Sequence, residues 1–98
     1  MNGIVFFQTR ELGLIRNFYA SLLALPVWLE QNSCVIFKAG NQLLGFCKGE
    51  SSEICGSITF FFDCREQVDN AYSKLKNIAK NAPRKNPKYN IYHFWATD

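Results

Sequence analysis

The sequence predicts an α+β fold assembled from two similar units, each a strand, a helix and further strands. Three observations predict it. The run at 3–9 is β-branched and aromatic, as a buried strand should be, and residues 11–23 then switch to the three- and four-residue spacing of a helix. The same switch recurs between 57–62 and about 66–80. Offset against each other, the halves place Val5 on Ile58, Phe7 on Phe60, Ile15 on Val68, Tyr19 on Tyr72 and Leu22 on Leu75. A repeated unit of this kind cannot bury its apolar sheet alone.

Each element has its own reason. In the first helix Leu12, Ile15, Phe18, Tyr19, Leu22 and Leu23 form the apolar stripe. Thr9 is placed to cap it, Glu11 suits its positive end, and Pro26 stops it. Strands are expected at Val27–Glu30, Cys34–Lys38 and about Gln42–Cys47, with turns at Gln31-Asn32-Ser33 and Ala39-Gly40-Asn41. Lys48–Glu53 is the polar connector. The second unit restarts with a strand at Ser57–Phe62. Its helix carries Val68, Ala71, Tyr72, Leu75 and Ile78/Ala79 on one face, with Asp63 as the capping residue. Asn81–Lys88, holding Pro83 and Pro87, is a loop or a poor edge strand, and Tyr89–Ala96 an aromatic strand. The reading is one domain over 1–98, its units about 1–50 and about 54–98.

Composition narrows the function classes. Of 98 residues, 48% are hydrophobic and only 19% charged, which excludes a disordered chain. No apolar run approaches the ~18–20 residues of a membrane span, so no membrane partner is expected. Net charge is +3. Lys74, Lys76, Lys80, Arg84, Lys85 and Lys88 lie between Asp69 and Asp98 with no acid among them. They read as the cationic end of a helix and its loop. They lack the aromatic interleaving of a nucleic-acid surface, and none is expected as a partner. Cys34, Cys47, Cys55 and Cys64 contain no Cys-x-x-Cys pair. Met1-Asn2-Gly3 leads straight into a strand-like run, so no secretory leader is expected. The expectation is a cytoplasmic protein with four free thiols.

Thr9-Arg10-Glu11-Leu12, Phe18-Tyr19 and Leu22-Leu23-Ala24-Leu25-Pro26-Val27 resemble a motif of the glyoxalase/bleomycin-resistance, or vicinal-oxygen-chelate, superfamily. Here Glu11 stands where that family has Asp, and Ala24 where it usually has Gly. Ile58–Asp63 followed by Val68–Tyr72, and Phe94-Trp95-Ala96-Thr97-Asp98, continue the resemblance, so that it covers nearly the whole chain. It implies two βαβββ units whose mixed sheet curls into a cup with helices outside. Asp98 resembles the first Asp of the family's Asp-Pro-Asp-Gly turn, so the last strand is expected to be missing. An open sheet edge of that kind must be paired or covered, which points to a homodimer.

Within that frame, alternation assigns faces. Val5 and Phe7 should face the helix, with Ile4, Phe6 and Gln8 toward the cup. Ile58, Phe60 and Phe62 should face the helix, with Ser57, Thr59 and Phe61 inward. Ile91, His93 and Trp95 should face inward. The fourth strand, about Gln42–Cys47, reads in either phase.

Enzymes of the family hold a divalent metal with His, Gln or Glu. The resemblance maps two of those ligand positions to Ile4 and to Ser57 or Gly56, and the third beyond the chain. Ile and Gly have no donor atom, and Ser is a poor ligand for such metals. Gln8 and His93, the only inward metal-capable groups, do not make a site. No metal and no cofactor are expected. The resemblance and the face assignment leave a cup lined by Phe6, Phe61 and Trp95, with Gln8, Thr59 and His93 as polar contacts and Trp28 at its edge. An apolar wall with few polar groups suits a small apolar or planar ligand. The alternatives are a metal-dependent lyase, isomerase or dioxygenase of the same superfamily, and a dimeric interaction module.

Overall fold

A computed structural model describes residues 1–98. The class is α+β, with a mixed four-stranded sheet, two helices and a small two-stranded sheet. The chain forms two compact units, Met1–Gly56 and Ser57–Asp98.

In the first unit β1 (Ile4–Thr9) leads into α1 (Leu12–Asn17), and a π-helical turn over Phe18–Leu22 continues it. Strands β2 (Val27–Gln31), β3 (Cys34–Ala39) and β4 (Gln42–Lys48) follow. Sheet order is β1-β4-β3-β2, with β1 parallel to β4 and the other pairs antiparallel. Gly40, at φ +59°, opens the two-residue turn between β3 and β4, a conformation that glycine adopts without steric cost. The Thr9 hydroxyl accepts from the Glu11 N–H at 3.1 Å. It thus closes the turn before α1, while Glu11 itself occupies the N-cap.

One face of this sheet is the core. Tyr19 stacks on Phe46 at 4.9 Å and lies 5.6 Å from Phe37, and Phe7 stacks on Phe46. Val35, Phe37 and Leu44 are fully enclosed. The register settles the phase of β4: Phe46 pairs with Val35 and Leu44 with Phe37, so Gly45 and Cys47 point to the other face. Glu30 pairs with Val35 and lies on the helix side, where Arg16 of α1 reaches it at 2.8 Å.

The second unit departs further from the sequence reading. Its helix, α2, spans Arg65–Leu75 and not 66–80. The Ile78 N–H closes a tight turn on the Leu75 carbonyl, and Ala79 and Lys80 are diverted to Ala96 and Trp95. The N-cap is Cys64, with no side-chain bond. The expected cap, Asp63, instead donates its N–H to the Gln67 carboxamide. Ser57–Phe62 joins no ladder. β-propensity alone does not make a strand without a partner, and the one ladder of this unit joins β5 (Arg84–Lys85) to β6 (Tyr92–His93). Tyr89–Ala96 is thus reduced to that pair and the bridge at Ala96. Phe94 meets Tyr72 of α2 edge-on and the Tyr92 hydroxyl donates to Asp69 at 2.7 Å, while the His93 and Trp95 rings meet each other.

Candidate functional site

The face of the first sheet turned away from α1 carries an open groove of about 490 Å³. Phe6, Leu29 and Ile36 form its apolar floor, Cys34 and Cys47 one side, and Gln31, Asn32 and Ser33 of the β2–β3 turn its polar wall. Local sequence makes this surface. Phe6 pairs with Gly45 across the parallel ladder, and a Cβ at Gly45 would overlap the Phe6 ring. Glycine there lets the ring lie over the sheet, where it remains half-exposed. Asn32, at φ +49°, turns the chain tightly enough to bring Gln31 and Cys34 opposite each other.

Phe6 is the predicted site residue that lines this groove. Gln8 lies on the same strand, but its side chain rests against Gly49, and its backbone N–H donates to the Glu53 carboxylate at 2.9 Å. Trp28 sits at the irregularity between Val27 and Leu29 and is exposed. In the second unit Thr59 is exposed, Phe61 is 85% exposed, and His93 and Trp95 share one side of the final segment at a centroid separation of 6.1 Å. Sequence reasoning missed Leu29, Ile36 and the β2–β3 turn. The signal was present, because Leu29 and Ile36 pair directly once the Asn32-Ser33 turn is set.

The cysteines are the clearest correction. Cys34 and Cys47 are bonded to each other, and only Cys55 and Cys64 are free, both exposed. The reason is register: they stand opposite on β3 and β4 with Cα atoms 4.1 Å apart.

No charged side chain lines the groove. The nearest ion pair, Arg16–Glu30, belongs to the helix side, where the Arg16 guanidinium holds the Glu30 carboxyl below its usual range by hydrogen bonding. The lining thus holds no general acid or base, and its chemistry is that of contact and hydrogen bonding. The divalent metal that the resemblance implies does not fit these residues. Ile4 and Gly56 bring no donor atom, Ser57 only a hydroxyl, and no group of three His, Cys, Asp or Glu is placed to hold an ion.

The sequence matches no family model and no curated protein. The structure resembles the crystal structure of a lactoylglutathione lyase from Agrobacterium tumefaciens, with a TM-score of 0.76 at 18% identity, over 100% of this chain and 85% of that one. The fold is therefore glyoxalase-like. No helix is long and apolar enough to cross a membrane.

Proposed function

We propose that this chain is a metal-free small-molecule-binding protein of the glyoxalase/bleomycin-resistance type, holding a planar apolar ligand by sequestration. The observation that carries this reading is the uncharged groove: an aromatic and aliphatic floor with one polar wall. A flat ring laid on Phe6 gains stacking and burial, and Gln31, Asn32 and Ser33 orient its polar edge. Gln8, on the same strand as Phe6, and Trp28, beside Leu29 in sequence, are proposed as further contacts. In the second unit, taken by itself, Thr59, Phe61, His93 and Trp95 are proposed as a separate set of ligand-contacting residues. A cytoplasmic setting stays part of the proposal: Cys55 and Cys64 are free thiols there, and the Cys34–Cys47 bond is one that a reducing compartment would open.

Titration with anilinonaphthalene sulfonate, a fluorescent dye with an apolar ring system, tests this reading. Saturable binding is expected, weakened about tenfold by Phe6→Ala, the worth of one good aromatic contact. Binding indifferent to Phe6 contradicts it. Stoichiometric divalent metal in protein purified without chelator contradicts the metal-free assignment and favours the lyase, isomerase or dioxygenase alternative.

A second reading, a homodimeric interaction module, is favoured by the exposure of Phe61 beside Phe60 and Phe62. It predicts that Phe61→Asp turns a dimer into a monomer in analytical ultracentrifugation.

A further inference from the structure

We propose that the Cys34–Cys47 bond is a redox switch of the groove: oxidised, it holds the β2–β3 wall in place for ligand, and reduced, it releases both. The proposal rests on the groove being a ligand site. Three observations support it. Both cysteines are half-buried and line the groove, within reach of a small reductant and of any bound molecule. Their ladder is already complete, six register pairs from Ala39↔Gln42 to Cys34↔Cys47. The core, around Val35, Phe37, Leu44 and Phe46, lies on the opposite face. Opening the bond therefore leaves the fold standing.

What the bond does hold is the wall. The turn that carries Gln31, Asn32 and Ser33 is held to β3 by the Gln31↔Cys34 pair, and its position over β4 is set by the bond and by the Lys48 N–H, donating to the Ser33 carbonyl at 2.8 Å. Two unbonded sulfurs must separate to van der Waals distance. The helix side is filled by Val35 and Phe46, so the displaced sulfur moves into the groove or pushes the turn outward.

The reductant is a dithiol. One of its thiolates attacks a sulfur of the pair, forming a mixed disulfide and expelling the other cysteine as a thiolate that takes up a proton. The second thiol of the reductant then displaces the first cysteine. The pair gains two electrons and two protons, and the reductant leaves as its own disulfide.

The test uses protein carrying Cys55→Ser and Cys64→Ser, so that only this pair exchanges. Anilinonaphthalene sulfonate is titrated into the oxidised form, the dithiothreitol-reduced form and a Cys34→Ser/Cys47→Ser variant of the same background. Circular dichroism follows the fold, and alkylation with mass readout counts thiols. The switch predicts that reduction exposes two alkylatable cysteines with the circular dichroism unchanged. It also predicts dye affinity lower by about tenfold, the cost of re-ordering a few wall side chains, restored on reoxidation. The serine variant should bind weakly with or without dithiothreitol. Equal affinity in the two redox states, or reduction that occurs only with loss of the fold, overturns the switch alone. Oxidised protein that binds no dye, or binds it equally after Phe6→Ala, overturns the groove reading and the switch with it.

Discussion

Ala24 offers the sharpest test of the backbone account. It follows the π-helical turn with φ +55°, in the left-handed region that an alanine Cβ disfavours. The wide turn forces this: the Leu23 N–H reaches back to the Phe18 carbonyl and the Leu25 N–H to that of Tyr19, so the chain must reverse between them. Left-handed backbone costs a non-glycine residue roughly 1–2 kcal/mol. Glycine returns about 0.5–1 kcal/mol of that through its freer unfolded chain. Ala24→Gly should therefore stabilise the protein by about 0.5–1 kcal/mol. For a chain of 98 residues, a gain of that size raises Tm by about 2–8 °C. Differential scanning calorimetry reads it directly. Gly40→Ala is the mirror control, since Gly40 has φ +59° with nothing near its missing Cβ, and Tm should fall. If Ala24→Gly lowers Tm or leaves it unchanged, the reasoning is wrong.

Gly45→Val should drive the Phe6 ring off the sheet, costing about 1–3 kcal/mol in urea denaturation and weakening dye binding together. Glu30 is held below its ordinary pKa by Arg16, so its contribution to stability is present above about pH 4.5 and lost as pH falls through the lowered value. Glu30→Gln should flatten that acid limb of a melting-temperature profile. Tyr92 is held above its ordinary value of 10.0, first by donating to Asp69 and then by desolvation. Its contribution is full below pH 10.0 and lost as pH rises through the raised value, so Tyr92→Phe should remove that alkaline loss, with Asp69→Asn as the partner check.

The first unit was legible because its signals agree. Alternation in β1 and helical spacing over 11–23 each leave one face apolar, and Pro26 and Gly40 mark the boundaries. In β4 both faces are apolar, Leu43 and Cys47 beside Leu44 and Phe46, so period alone cannot phase it. Pairing with β3 does. The disulfide needed the same step. Cys34 and Cys47 stand equally far from the Gly40-Asn41 turn, a symmetry visible only once the hairpin is drawn and not from cysteine spacing motifs. In the second unit Ser57–Phe62 has strand composition without a strand's pairing, and the helix yields its last turn to the bridge at Ala96. Long-range hydrogen bonds decide both, and no local pattern encodes them. Of the site, Phe6 came from alternation, whereas Leu29, Ile36 and the turn wall came from register.

The central claim is that a ligand lies on the sheet face opposite α1. Side-chain NMR of Phe6, Leu29 and Ile36 against Val35, Leu44 and Phe46, with and without anilinonaphthalene sulfonate, tests it most directly. The account predicts saturable shifts at Phe6, Leu29 and Ile36 and at the Asn32 carboxamide, with the core-face signals nearly still. Shifts confined to the core face, or spread evenly over both faces, would contradict it.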